Sequence, residues 1–258
     1  MNIPYIFDVQ RGSTVDGRGL RTTVFFKGCN LDCFWCHNPE GKKPFPELAF
    51  FARACLGCGS CRGACPGEEG APCRACGECA ALCPSAALRV YGKQYKIEEL
   101  LDIILADEPF YEATGGGVTL SGGECMLYPD FVSALLQKCK EKGIHTAIDT
   151  AGSVPFSHFE QVLPYTDMFL YDIKCLSPSL HKQGTGFDNS LILENLERLR
   201  QTGKEILVRV PLIPSFNEKE KDEIEAFCRA RGLSYELLPY HTLGEGKKAA
   251  LSAFRERK

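Results

Sequence analysis

The 258-residue chain contains no apolar run long enough to cross a bilayer, which takes about 20 residues of helix. Residues 1–12 have no apolar core of the kind that marks a secretory leader. No membrane partner is expected, therefore, and the cytoplasm is the expected location. Nor is there an excess of basic charge. Lys and Arg number 30 against 33 Asp and Glu, a net charge of −3. So balanced a chain has no electrostatic footprint for nucleic acid or for an anionic surface. With 44% hydrophobic and 24% charged residues, the composition is that of an ordinary globular protein. The length suits one α/β barrel-like domain or two smaller ones.

Cysteine is the outlier, with fifteen residues. A secreted miniprotein would use them in disulfides, but a chain of this length needs no staples and shows no leader. Reduced, metal-binding thiols are the expectation. Cys125, Cys139, Cys175 and Cys228 are scattered through predicted strands and helices, where buried inert thiols are expected. The rest fall in two short stretches.

The first stretch is Cys29-Asn-Leu-Asp-Cys33-Phe-Trp-Cys36, followed by His37-Asn38-Pro39-Glu40. Three thiolates at these spacings wrap three corners of a cubane iron–sulfur cluster and leave a fourth iron without a protein ligand. An open iron site is where a substrate or cofactor binds, as at open metal sites generally. Two alternatives stay open here, a zinc site completed by His37 and a chance run of thiols. His37 directly adjoins Cys36, which makes a tetrahedral four-ligand wrap awkward.

The second stretch, residues 55–84, is rich in Cys, Gly, Ala and Pro and contains a repeat. Cys55-x2-Cys58-x2-Cys61-x3-Cys65-Pro66 recurs as Cys73-x2-Cys76-x2-Cys79-x3-Cys83-Pro84. This is the bacterial two-cluster ferredoxin run, in which the fourth Cys of each run ligates the other cluster. One cluster then takes Cys55, Cys58, Cys61 and Cys83, and its neighbour Cys73, Cys76, Cys79 and Cys65. A zinc ribbon uses pairs, not four thiols followed by proline twice over. Two adjacent clusters conduct electrons, and they also staple a segment too small for a core of its own.

Elsewhere strands and helices alternate. Residues 7–21, with Gly12, Gly17 and Gly19, read as a loop. Strands are expected at 22–27, 117–121, 146–149, 168–172, 205–210 and 234–238, and helices at 97–107, 128–142, 155–163, 191–202 and 218–231. Six β units separated by helices predict an α/β fold, an open partial (β/α)6 barrel formed by residues 1–50 and 89–258. Residues 51–88 would be an inserted ferredoxin-like unit with two [4Fe-4S] clusters.

Polar residues collect where those strands end. Ser121-Gly122-Gly123-Glu124 follows the second strand, Asp149-Thr150 the third and Asp172-Ile173-Lys174 the fourth. Arg209 sits late in the fifth, and Tyr240-His241 follows the sixth. In a parallel barrel all of these point into one mouth, together with the cysteine loop. Singly, a glycine pair is usually a turn and a strand-end Asp often caps the next helix. Their coincidence at successive strand ends is what points to a site.

These motifs resemble the radical S-adenosylmethionine (SAM) superfamily. More narrowly, residues 24–40 (VFFKGCNLDCFWCHNPE), 116–124 (GGVTLSGGE), 171–174 (YDIK) and 238–241 (LPYH) are similar to the glycyl-radical-enzyme activating enzymes, in particular the larger members with a ferredoxin-like insert. The resemblance implies an anaerobic enzyme with three [4Fe-4S] clusters. The unique iron of the Cys29/Cys33/Cys36 cluster would chelate the amino and carboxylate groups of SAM. Reductive cleavage of SAM would then give the 5′-deoxyadenosyl radical, which takes an α-hydrogen from a glycine of a separate glycyl radical enzyme. An electron donor such as flavodoxin or ferredoxin is implied, and a monomer. By the same resemblance Gly122, Gly123 and Glu124 lie along the SAM amino group. Lys174 and Arg209 approach its carboxylate, His241 lies near the ribose, and Asn38 lies beside SAM. Asp149, Thr150 and Asp172 match a monovalent-cation site next to SAM, and Asp16 a position near the partner's glycine loop.

Two departures stand out. Asp16-Gly17-Arg18-Gly19 replaces the common Asp-Gly-Pro-Gly, loosening that loop and adding a charge. Arg89-Val90-Tyr91-Gly92-Lys93 imitates the Arg-Val-x-Gly-aromatic site of glycyl radicals, but with Lys93 for the aromatic. It reads as a connecting strand and turn, so the acceptor glycine belongs to another protein. Three rivals share parts of the pattern. They are a radical SAM enzyme acting on a small molecule or peptide, a ribonucleotide reductase activase, and a ferredoxin-type electron-transfer module. The last leaves Gly122 to Glu124 and Lys174 unexplained.

Overall fold

The computed structural model describes residues 2–66 and 73–255. Its first elements are β1 (Tyr5–Ser13) and β2 (Arg21–Phe26), an antiparallel pair from Ile6 opposite Phe26 to Ser13 opposite Arg21. The loop expected over residues 7–21 is therefore corrected. Strand pairing runs through Ser13, and only the glycine-bearing segment between the two strands is a turn. The glycines concealed the strand because β1 shows no clean alternation; most of its side chains are exposed or half-buried, and Ile6 and Ser13 alone are buried.

Next come β3 (Glu47–Phe50), α1 (Glu78–Ala81), β4 (Leu88–Tyr91) and β5 (Lys93–Gln94). The barrel units follow: α2 (Ile97–Leu105), α3 (Glu108–Thr114), β6 (Gly117–Gly122), α4 (Pro129–Glu141), β7 (His145–Thr150), α5 (Phe156–Val162) and β8 (Met168–Asp172). The chain continues with α6 (Pro178–Thr185), α7 (Ser190–Arg200), β9 (Glu205–Leu212), α8 (Lys221–Ala230), β10 (Ser234–Pro239) and α9 (Leu243–Arg255). One sheet has the order β10-β9-β8-β7-β6-β2-β1-β5. Its members from β10 to β2 are mutually parallel, the six expected β units, and the sheet does not close on itself. No helix among the described residues is long and apolar enough to cross a membrane.

Side-chain parity places the polar strand ends. Val118, Leu120, Ile148, Phe169, Tyr171, Val208 and Val210 face the main core beneath the helices. Alternate residues Ala147, Met168 and Leu170 pack with Leu207 on the opposite, inner face. Continuing that period of two puts Ser121, Asp149, Asp172 and Arg209 on the inner face at the C-terminal ends. Register brings Asp172 directly opposite Arg209. The helices supply apolar stripes at i, i+4 spacing, such as Phe131, Leu135 and Cys139 of α4. Each fully buried side chain of this kind contributes about 1.5–3 kcal/mol. Cys125, Cys139, Cys175 and Cys228 are all buried, as expected.

The cysteine-rich segment leaves at the end of β3 and returns at β4, which pair antiparallel. Residues 67–72, within it, lie outside the described residues. Cys55, Cys58, Cys65, Cys73 and Cys76 are exposed, while Cys61, Cys79 and Cys83 pack partly buried against Leu48, Phe50, Ala87 and Leu88. Arg89 to Tyr91 belong to β4, and Gly92 turns at φ +116°, in keeping with a strand and turn.

Candidate active site

All six parallel strands deliver their C-terminal ends to one open cavity. Cys29, Cys33, Cys36, Asn38, Gly122 and Gly123 line it, as do Asp16, Asp149, Thr150, Asp172, Lys174 and Arg209. Twelve residues singled out from sequence thus share one space. Glu124 and His241 lie one contact behind it, against the lining residues Thr150 and Ala151 and against His37 respectively.

The cysteine loop starts at Gly28, whose φ of +102° turns the chain off β2. A Cβ there would come 2.7 Å from the Tyr128 hydroxyl, which itself donates to Lys27 O at 2.8 Å. The loop lies on the C-terminal end of α6, where Asp32 N donates to Thr185 O (2.8 Å) and Phe34 N to Gly184 O (3.1 Å). Leu31, Trp35, Ala151 and Ile213 form a small apolar cluster around Cys33. Gly184 is required by that packing, since a Cβ would stand 2.5 Å from the Trp35 ring. Lys42 then ties the return of the loop, donating to Cys33 O at 2.9 Å and pairing with Asp32.

Burial pushes the Cys29 thiol up to about 12 and the Cys33 thiol to about 11, and it raises Cys36 as well. A bound metal would offset that burial and hold the three as thiolates. Among the described residues no fourth cysteine lines the cavity. The donor set therefore fits a cubane cluster that would have one iron without a protein ligand. The zinc alternative needs His37 as a ligand. Instead, the His37 ring stacks on His241 with centroids 3.9 Å apart.

Beside the base of the loop, the edge made by Gly122 and Gly123 has no side chains. Gly123 N donates to Phe26 O (2.9 Å) and Glu124 N to Gly28 O (2.7 Å), joining this edge to the start of the loop. Further round, charges are paired. Ser121 Oγ donates to Asp149 at 2.7 Å, and Arg209 Nη1 lies 3.5 Å from Asp149 and 3.9 Å from Asp16. Burial raises the Asp149 carboxyl, with Arg209 opposing. Lys174 Nζ lies 2.6 Å from Asp172; burial opposes its charge, but Asp172 and Cys33 outweigh it and hold the ammonium protonated. Asp16 accepts from Ser13 (2.6 Å) and Thr23 (2.8 Å) at the rim. Both Asp149 and Asp172 already face protein cations, so a monovalent cation at Asp149, Thr150 and Asp172 would have to share them.

Glu124 turns away from the cavity and clasps β6 to β7. Its carboxylate accepts from Thr150 Oγ1 (2.8 and 2.9 Å), Ala151 N (3.0 Å) and Met126 N (3.1 Å). Burial pushes this carboxyl from its ordinary 4.5 up to about 7, against those hydrogen bonds. The folded state then holds a proton that the unfolded state releases between those values, so stability falls as pH rises through that window. Glu124→Gln removes the titration. Relative to this variant, the wild type is expected to lose up to about 3 kcal/mol between pH 4.5 and 7. Urea unfolding of both at pH 5, 6, 7 and 8 checks the slope; parallel curves would contradict it.

Sequence reasoning missed Lys42, Trp35 and Leu31 in the wall, and α6 and α9 behind it. Lys42 follows a proline-containing turn with no periodicity to mark it, and glycines at 184, 244 and 246 weaken both helical patterns.

Known proteins share this arrangement. A family profile described as the Radical SAM superfamily matches residues 23–228. The choline trimethylamine-lyase activating enzyme of Oleidesulfovibrio alaskensis is 42% identical over 94% of this chain and 85% of its own length. The trans-4-hydroxy-L-proline dehydratase activating enzyme of Clostridioides difficile is 41% identical over 95% and 86%. Among solved structures, Streptococcus suis SuiB bound to precursor peptide SuiA superposes with a TM-score of 0.54 at 15% identity, covering 85% of this chain and 39% of that one. That last likeness concerns the fold alone.

Proposed function

Because this chain belongs to the radical SAM superfamily, we propose that its cavity binds SAM beside a [4Fe-4S] cluster held by Cys29, Cys33 and Cys36. The chain is an activating enzyme for a glycyl radical enzyme, the activity named for its full-length relatives. The observation that carries the site is the meeting in one cavity of three thiols, Cys33 buried and Cys29 and Cys36 half-buried, with a side-chain-free glycine edge and, among the described residues, no fourth cysteine. When bound, the cluster and SAM supply reductive cleavage of a sulfonium bond and the carbon radical that removes a glycine α-hydrogen.

The chain's own groups bind, orient and shield. The open Gly122–Gly123 edge offers backbone groups to the SAM amino group, and Asn38 flanks it. Lys174 and Arg209 supply positive charge for its carboxylate, each kept in place by an acidic partner. Leu31, Trp35 and Ile213 keep water from the cluster side, which matters because a carbon radical attacks whatever it touches. Asp16, which lines the cavity beside Arg209, is the residue we assign to the partner's glycine loop.

The two Cys-x2-Cys-x2-Cys-x3-Cys-Pro runs support two further [4Fe-4S] clusters in a ferredoxin-like insert, and so three in all. Flavodoxin or ferredoxin suits such an insert as electron donor. A cytoplasmic monomer is the setting proposed for the charge-balanced chain. The test is to mix the anaerobically reconstituted protein with SAM, a strong reductant and candidate partners carrying an Arg-Val-x-Gly-aromatic site. Electron paramagnetic resonance should then show a glycyl radical with one partner. SAM cleavage without a radical on any protein partner would favour an enzyme acting on a small molecule.

A further inference from the structure

The cysteine motif is closed by the 3₁₀ turn Pro39–Gly41. Gly28 N donates to Gly41 O (2.7 Å), Cys29 N to Lys42 O (3.0 Å) and Gly41 N to Asn38 O (2.8 Å). The turn thereby sets both ends of the loop. At its centre lies Glu40, only 2% exposed. Lys27 Nζ donates to its backbone carbonyl and pairs with Glu47. The Glu40 carboxylate, however, has one ion pair among the described residues, Oε1 to Lys247 Nζ at 2.6 Å. Its Oε2 is buried with no hydrogen-bond partner among them. A buried carboxylate neutralised by a single ammonium depends on it, because removing one partner leaves an uncompensated charge.

Lys247 comes from α9, the helix that sequence reading missed. Gly244, three residues earlier and on the same helical face, is buried against the loop. A Cβ there would stand 3.0 Å from His37 Cα and closer still to Cys36 O. The Lys247 ammonium also lies 3.4 Å from His37 O and 3.5 Å from Asn38 Oδ1, both long contacts. One cation thus addresses His37, Asn38 and Glu40, two of which line the cavity. Beyond it, Ala250 is buried and Ala253 packs on the apolar floor beside Leu48 and Phe50. That far half of α9 holds the helix to the protein without Lys247.

We propose that Lys247 is a positioning residue for SAM binding: through its pair with Glu40 it clamps the Cys36–Asn38 wall of the cavity beneath α9. The proposal rests on the reading of the cavity as the SAM site. Unpaired, Glu40 draws the turn toward water and carries Asn38 off the wall, weakening SAM binding more than turnover.

The experiment compares full-length, anaerobically reconstituted wild type with Lys247→Met, Lys247→Arg, Glu40→Gln and the Glu40→Gln/Lys247→Met double variant. SAM affinity is measured by calorimetry on the unreduced protein, and kcat and KM are measured for 5′-deoxyadenosine formation under reductant. Lys247→Met should raise Kd and KM about tenfold, as loss of a charged hydrogen bond does, with kcat within about twofold. Lys247→Arg should restore most of the affinity. The double variant should be no weaker than Lys247→Met, since both changes break one pair. If Lys247→Met does not fold, Lys247→Gln carries the same expectation, since it too leaves Glu40 unpaired. Lower thermal stability with wild-type Kd makes the pair merely structural and overturns the proposal. So do additive losses, or no rescue by Lys247→Arg. A wild type that binds no SAM overturns the reading of the cavity itself, whereas wild-type binding with unchanged variants overturns only the role of Lys247.

Discussion

Cys36→Ala is expected to abolish 5′-deoxyadenosine formation while leaving the fold and the insert intact. Even an outer-shell partner of a metal ligand costs about 10–100-fold, and Cys36 is proposed as one of only three protein ligands, with no other cysteine on the cavity wall among the described residues to replace it. The loss should therefore exceed about a thousandfold. With the three clusters proposed above, iron content should fall by about four of about twelve atoms per chain, because each cubane holds four. The backbone at this point tolerates alanine. Cys36 N donates to Cys33 O at 3.3 Å, and Gly244 covers the Cys36 carbonyl rather than its side chain. Iron analysis and product assay together are decisive, and wild-type product formation would sink the assignment of Cys29, Cys33 and Cys36.

Gly123→Ala is expected to destroy SAM binding by a purely steric route. A Cβ on Gly123 would lie 2.5 Å from Gly41 O, 2.8 Å from Gly28 C and nearer still to Gly28 O. These are backbone atoms, so no neighbouring side chain can rotate away to make room. Gly28 and Gly41 are hydrogen-bonded to each other at 2.7 Å and hold the entry and exit of the cysteine loop. Relief must then come from moving the glycine edge away from the loop, which changes the distance between the two walls. Overpacking of this kind costs about 1–3 kcal/mol and sometimes more. We expect a loss of about 3 kcal/mol in stability and at least about a hundredfold in SAM affinity, since a misplacement of about 1 Å can already cost that much. Gly246→Ala is the control. Nothing lies within 4 Å of its added Cβ, and alanine favours helix over glycine by about 1 kcal/mol. Calorimetric SAM binding by both variants checks the contrast, and equal affinities would refute the steric account.

The six parallel strands were legible because each is a short apolar run ended by polar residues, a pattern that survives without neighbours. The three thiols and the polar strand ends were legible for a related reason. Strand ends of a parallel sheet face one side, so Ser121, Asp149, Asp172 and Arg209 had only one place to meet. The partners of the Glu124 carboxylate, Thr150 Oγ1 at the end of the next strand and Ala151 N just after it, were not legible, because their nearness depends on strand order. The stacking of the exposed His241 on His37 was hidden for the same reason. The strand β1 was hidden by its glycine-rich continuation, and α9 by Gly244 and Gly246.

Local chemistry carried the run of β units and the residues proposed to hold the cofactors. Thiol spacing, glycine pairs and strand periodicity are properties of a few consecutive residues, so they can be read without their neighbours in space. Tertiary packing settled how that site is held together. The pairing of Glu40 with Lys247 joins residues more than two hundred positions apart, and Gly184 matters only because Trp35 lies against it. Neither leaves a trace in the local pattern, because a long-range contact depends on how elements pack rather than on the residues beside it.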